Sequence, residues 1–177
     1  GNRLFVAATD RHLLYALNAA DGQILWKFTA GGRIDSPPTI YKNRVLFGSA
    51  DGRVYCLRAS DGKLVWRFNA GTGDRRIVSY GQLESAWPVH GTVLVANGSV
   101  YFTAGRSSFL DEGLYLYRLN PMTGKMLSRR VINSRDPKTG EQPRGIINKF
   151  SMARAALPDI LSSQGKSIFL RHRRYNH

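Results

Sequence analysis

The residues able to do chemistry in this sequence are few and scattered. Cys56 is the sole cysteine, so neither an intramolecular disulfide nor a multi-cysteine metal site can be built. Its place in an apolar run marks it as a small packed residue. The four histidines, His12, His90, His172 and His177, show no H-x-H or H-E-x-x-H spacing, which argues against a transition-metal centre. No G-x-S-x-G elbow presents a nucleophilic serine. Asp136-Pro137-Lys138-Thr139-Gly140-Glu141 has the outline of a calcium loop but too few acids in register, and reads as a surface turn in a polar linker. Asn97-Gly98-Ser99 matches a glycosylation sequon, although Asn-Gly is first a hairpin turn. No catalytic residue and no metal ligand is assigned. What remains is recognition chemistry. Arg75, Arg76, Glu84, Trp87, Arg106, Ser107, Ser108 and Asp111 mix charge, hydroxyl and aromatic surface. Arg106 beside two serines offers forked donors to a carboxylate, phosphate or sulfate. The competing reading pairs Arg106 with Asp111, or an arginine with Glu84, merely to fasten loops.

The elements that position these residues follow from an internal repeat. Tyr15-Ala16-Leu17, Asp21-Gly22 and Trp26 return forty residues later as Tyr55-Cys56-Leu57, Asp61-Gly62 and Trp66. A weaker third copy, sixty-two residues further on, reads Tyr117-Arg118-Leu119 and Thr123-Gly124, with Ser128 in the tryptophan's place. Each copy alternates apolar and polar residues and is punctuated by Gly, Asn or Asp, the pattern of short antiparallel strands joined by hairpins. The clearest unit predicts strands A to D over 36–41, 44–49, 53–58 and 63–68. Asp-Gly at its turns suits type I′ geometry. Four strands in about forty residues make one propeller blade, because such a sheet must stack on copies of itself to bury its faces.

The same template predicts an opening blade without strand A, with strands over 4–8, 13–18 and 24–28, and a third blade over 92–96, 99–104, 114–120 and 125–131. Strands over 157–162 and 166–171 begin a fourth. The expected organisation is a partial blade over 1–30, a blade over 31–70, a blade with two long loops over 71–132, a linker over 133–156 and the start of a further blade over 157–177. This is an all-β, incomplete propeller, expected to be a segment of a longer protein. The third copy is longer by fifteen residues between strands D and A and by seven between B and C. Both connections follow strands running in one direction, so both insertions emerge on one rim, where the candidate ligand residues collect.

Composition bounds the partners. Of 177 residues, 42% are hydrophobic and 21% charged, which is globular. No membrane span and no signal peptide can be read in the segment. The net charge of +14 is uneven, since residues 129–177 carry eleven basic and three acidic side chains. That balance permits a polyanion, and Arg171-His172-Arg173-Arg174 invites a nucleic acid. However, no arginine stripe interleaved with aromatics and no nucleic-acid motif appears, so a solvated strand edge is preferred.

The stretches from Ala16 to Trp26 and from Cys56 to Trp66 resemble the tryptophan-docking repeat of the pyrroloquinoline quinone (PQQ) propeller superfamily. The stretch from Glu84 to Asp111 resembles bacterial envelope propellers of planctomycete type. The resemblance implies that Trp26 and Trp66 dock between blades on the next Asp/Thr-Gly turn, making Trp26, Trp66, Gly22, Gly62 and Gly124 structural. It implies a periplasmic or cell-envelope location and a non-catalytic binding or scaffolding role, with a protein, a glycan or another polar ligand on one rim and the remaining blades as neighbours. The alternative it carries is a fragment of a PQQ-dependent oxidoreductase. That would need PQQ, calcium and adjacent cysteines, for which this segment supplies only Cys56.

Overall fold

The computed structural model describes residues 2–136, 138–141, 156–171 and 173–176. The first sheet holds β1 (Arg3–Ala8), β2 (Leu13–Asn18) and β3 (Ile24–Thr29). The second holds β4 (Thr39–Tyr41), β5 (Arg44–Ser49), β6 (Arg53–Arg58) and β7 (Leu64–Asn69). A separate two-stranded ribbon, β8 (Arg76–Ser79) and β9 (Gln82–Ser85), precedes the third sheet. That sheet is built from β10 (Leu94–Ala96), β11 (Ser99–Ala104), β12 (Leu114–Leu119) and β13 (Met126–Ile132). β14 (Leu161–Gln164), β15 (Ser167–Leu170) and β16 (Arg173–Asn176) make the fourth. Every pairing is antiparallel between sequence neighbours, which gives the up-and-down sheets of a propeller. Among the described residues the one helical element is a 3-10 turn at Thr9–Arg11.

The core lies between the sheets rather than within them. One cluster joins Leu14 and Ile34 to Val45, Phe47 and Leu57. A second joins Leu46, Cys56 and Trp66 to Val100, Phe102 and Leu119. A third joins Leu114 and Leu116 to Ile168, Leu170 and Tyr175. At each of the first two junctions a stacked cross-strand pair, Phe47 with Tyr55 and Phe102 with Tyr117, receives the edge of a phenylalanine from the preceding sheet. Phe28 fills that role once and Phe68 the second time. Aromatic contacts of this kind add about 0.5–1.5 kcal/mol each beyond their buried area.

The tryptophans bridge the same junctions. The Trp26 indole donates to Ala59 O at 3.1 Å and the Trp66 indole to Pro121 O at 3.0 Å. A Cβ on Gly62 would fall 2.7 Å from the ring of Trp26, and one on Gly124 2.7 Å from that of Trp66. Both glycines have φ near +70°, so two constraints exclude a side chain there. Gly22, at φ +74°, has open space over it.

Several local expectations are corrected. The Asp-Gly turns are not type I′, because only the glycine takes positive φ. Instead the carboxylates of Asp21, Asp51 and Asp61 each accept the backbone N–H two residues on, an Asx turn that leaves a single left-handed position to glycine. Positive φ at both central residues occurs at Tyr80-Gly81 and Asn97-Gly98. β4 starts at Thr39 rather than 36, since Pro37 and Pro38 have no N–H for a ladder. The fourth sheet is shifted to Leu161–Gln164 and Ser167–Leu170, and it has a third strand that the alternation did not disclose. Arg173 and Arg174 lie on β16, which pairs with β15 and forms the edge of this sheet. Arg174 donates to Ser167 Oγ at 2.8 Å, and Arg171 pairs with Asp159. The linker over 142–155 and His172 and His177 lie outside the described residues.

The repeated glycines supply an internal control. Gly22→Ala incurs only left-handed strain, about 1 kcal/mol. Gly62→Ala must also displace an indole and is expected to cost about 1–3 kcal/mol more, the usual range for overpacking. Paired urea melts at one pH measure the difference.

Candidate functional site

The long D-to-A connection of the third unit is not a loop but a strap. Ile77 and Glu84 face each other on the inner side of the β8–β9 ribbon, while Val78 and Leu83 pair on the outer side. Ser85 N donates to Ala50 O at 2.8 Å, which seats the ribbon on the B-to-C turn of the second sheet. His12 Nε2 and Gln82 Oε1, 2.8 Å apart, tie it to the corresponding turn of the first. The B-to-C insertion meets its base where the Trp87 indole donates to Asp111 O at 3.0 Å and Gly105 N to Pro88 O at 2.9 Å. Both insertions thus share one rim.

The candidate ligand residues are consumed in holding this rim together. Arg106 directs Nε and Nη2 onto one oxygen of Asp111 at 2.9 and 2.6 Å, and Arg75 pairs with the other oxygen. The Arg75 guanidinium also lies 5.4 Å from the ring centroid of Trp87. Asp111 itself sits at φ +52°, a strained position held by the two arginines and the indole. Ser107 and Ser108 are buried rather than presented. Ser107 Oγ accepts from Phe109 N, while Ser108 Oγ contacts Ser134 Oγ and accepts from Ala156 N. Glu84 is 3% exposed and receives Arg33 Nη2 at 2.9 Å. Of the candidate set, Arg76 is the charged group left exposed with no ion pair among the described residues. The geometry therefore brings Arg75, Trp87, Arg106 and Asp111 together, keeps Glu84 in a second cluster, and removes both serines from the surface.

That second cluster was missed in the sequence because its members come from two separate connections. Arg33 is 6% exposed and bonds Glu84, Asp35 and Ser79 O. It also lies 5.0 Å from the Tyr80 ring centroid. His90 Nδ1 is 2.5 Å from Asp35 and its Nε2 is 3.9 Å from Glu84. Burial works to raise the Asp35 carboxyl, but the hydrogen bond and charge of His90, with Arg33, outweigh it and hold the group below its ordinary value. Asp10, Arg33, Asp35, Tyr80 and His90 border an open depression of about 450 Å³. The only signal for it was Gly31-Gly32-Arg33-Ile34-Asp35, a charged run in a connection otherwise free of charge.

Among the described residues the arrangement offers electrostatic clasps and no poised nucleophile. Burial pushes the Cys56 thiol up to about 11, so it is a thiol and not a thiolate at neutral pH. Burial, then the bond to Asp51, likewise raises the Tyr55 phenol. Among the described residues, the rim does not fit calcium-bound PQQ. The buried rim carboxylates of Glu84 and Asp111 are turned onto arginines, and Cys56 has no adjacent cysteine.

A sequence profile described as Outer membrane protein assembly factor BamB, built on the PQQ-type repeat, matches residues 1–147. The chain belongs to this family. Over 51 residues it is 43% identical to the outer membrane protein assembly factor BamB of Shewanella oneidensis, a stretch covering 29% of this chain and 13% of that protein. Among solved structures, quinohemoprotein alcohol dehydrogenase ADHIIG of Pseudomonas putida HK5 aligns with a TM-score of 0.68 at 18% identity, over 94% of this chain and 26% of that one. The quinohemoprotein alcohol dehydrogenase of Comamonas testosteroni aligns at 0.58 with 20% identity, over 73% and 19%. These structural likenesses establish the propeller fold. This BamB-family chain spans only a fraction of each relative's length.

Two outcomes follow from the Arg33 cluster. Glu84→Gln leaves the buried guanidinium with the longer Asp35 contact as its counter-charge and is expected to cost about 2–3 kcal/mol. The double replacement Arg33→Met/Glu84→Leu should recover much of that loss, as denaturant titration will read. For Asp35 the folded value is depressed, so its contribution is complete above the ordinary carboxylate value of 3.8 and is lost as pH falls through the folded value. The stability gap between the wild type and Asp35→Asn, from urea melts across the acid range, should shrink in that direction.

Proposed function

We propose that this chain is a non-catalytic binding and scaffolding module of a bacterial envelope protein, and that it recognises a protein partner on the rim carrying the β8–β9 strap. The observation that carries this reading is the outer face of the strap, where Val78 is 75%, Tyr80 90% and Leu83 61% exposed. Large apolar side chains held outward on a short ribbon that is itself anchored at both ends are the kind of patch that protein interfaces use. A small polar ligand fits the rim less well, because Arg75 and Arg106 are already paired with Asp111, and Glu84 with Arg33. The assembly-factor description of the family agrees with a protein partner and with a place in the envelope. Among the described residues no helix is long and apolar enough to cross a membrane.

Photocrosslinking residues at positions 78 and 83, with position 63 on the opposite rim as control, test the proposal in the native host. Discrete protein adducts from 78 and 83 but not from 63 are expected. Stoichiometric binding of PQQ with calcium, accompanied by dye-linked alcohol oxidation, would replace it with the oxidoreductase reading. Adducts that do not depend on position would sink the strap as a recognition surface.

A further inference from the structure

The third junction departs from the first two in a way that opens a site. By register, Trp66 and Phe68 of β7 lie opposite Cys56 and Val54, and their counterparts opposite Arg118 and Leu116 are Ser128 and Arg130. The two large apolar side chains that fill the other junctions are thus replaced by a hydroxymethyl group and a guanidinium. A cleft of about 150 Å³ lies there, walled by Leu116, Ile168 and Tyr175 and bordered by Ser128, Arg118 and Arg130. Apolar cavities of about this volume take up a single benzene-sized ring.

Its charge is one-sided. None of the residues lining the cleft is acidic. Strand alternation places Ser128 and Arg130 on one side, and Arg129, which also borders the cleft, has its guanidinium 5.5 Å from the Tyr115 ring centroid. Arg130 lies 5.4 Å from the Tyr175 ring centroid, on the facing wall. Among the described residues neither Arg118 nor Arg130 has a carboxylate partner, and Arg118 spends Nε on Ser99 Oγ at 3.0 Å. Its terminal nitrogens remain for a ligand.

We propose that the cleft beside Ser128 binds a small aromatic carboxylate, its ring between Leu116 and Tyr175 and its carboxylate on Arg118 and Arg130. Ring and charge are both needed, since the walls reward apolar surface and a carboxylate lets guanidinium groups that have no carboxylate partner among the described residues make charge-assisted bonds.

Phenylacetate is the probe, with benzyl alcohol and benzylamine as neutral and cationic counterparts, followed by calorimetry and ligand-observed NMR on the purified protein. Saturable binding of phenylacetate is expected, weaker for benzyl alcohol and weakest for benzylamine. Arg130→Gln should weaken phenylacetate by about tenfold, as loss of a charged hydrogen bond does, and leave benzyl alcohol unchanged. Ser128→Trp should refill the slot, abolishing binding of both. Ser128→Leu serves the same purpose should the larger residue prevent folding. No saturable phenylacetate binding at millimolar concentration overturns the proposal. So does benzylamine binding equally well, or affinity undiminished in the refilled variant.

Discussion

Each sheet in this chain is too small to bury its own faces, and the stacking of one sheet on the next is the constraint from which everything else follows. The indoles of Trp26 and Trp66 make that stacking specific. Each reaches out of its own sheet, donates to a carbonyl in the next unit, and lies over a glycine whose missing Cβ makes room for it. A side chain and a turn thirty-three or fifty-five residues apart are therefore one structural object. The same junctions bury the aromatic trios and most of the fully enclosed leucines and valines, so burial energy and repeat spacing reinforce each other.

The rim shows how polar residues can be numerous without forming an open site. Long insertions need internal ties, because their backbone has no sheet to complete it. Asp111 illustrates the solution, since one carboxylate gathers two arginines and its carbonyl receives an indole. Arg33 does the same with two carboxylates and a tyrosine face. In both cases charge is drawn inward to fasten loops, and apolar surface at Val78 and Leu83 is turned outward. That inversion of the usual order makes the strap the conspicuous feature of this face.

Much of the fold was legible because the repeat is spelled in residue types that leave little freedom. Tyr-x-Leu, Asp-Gly and Trp located strands C and D in the first two units, and B to D in the third, to within a residue or two. Less legible were elements without a repeat to copy. The β8–β9 ribbon carries Ile77, Val78 and Leu83 among arginines and glutamate, too short and mixed for alternation to stand out. β16 has one buried anchor, Tyr175, among arginines. At the rim, the sequence named the Arg106–Asp111 pair that the structure contains. It could not show that Ser108 turns inward to Ser134, or that Arg33 meets Glu84 from another sheet, because such meetings depend on two loops whose paths are set by their supports. The type I′ expectation failed because an aspartate side chain can close its own turn and relieve itself of positive φ.

The strap has a consequence for how the stack comes apart. In a one-dimensional array each unit senses only its immediate neighbours, and disruption of one interface stays local. Here the β8–β9 ribbon, which belongs by sequence to the third unit, rests on Ala50 of the second and reaches His12 of the first. It adds a next-nearest-neighbour coupling to the array. Opening the first interface then strains the third unit as well, so these three units should melt as a single cooperative block.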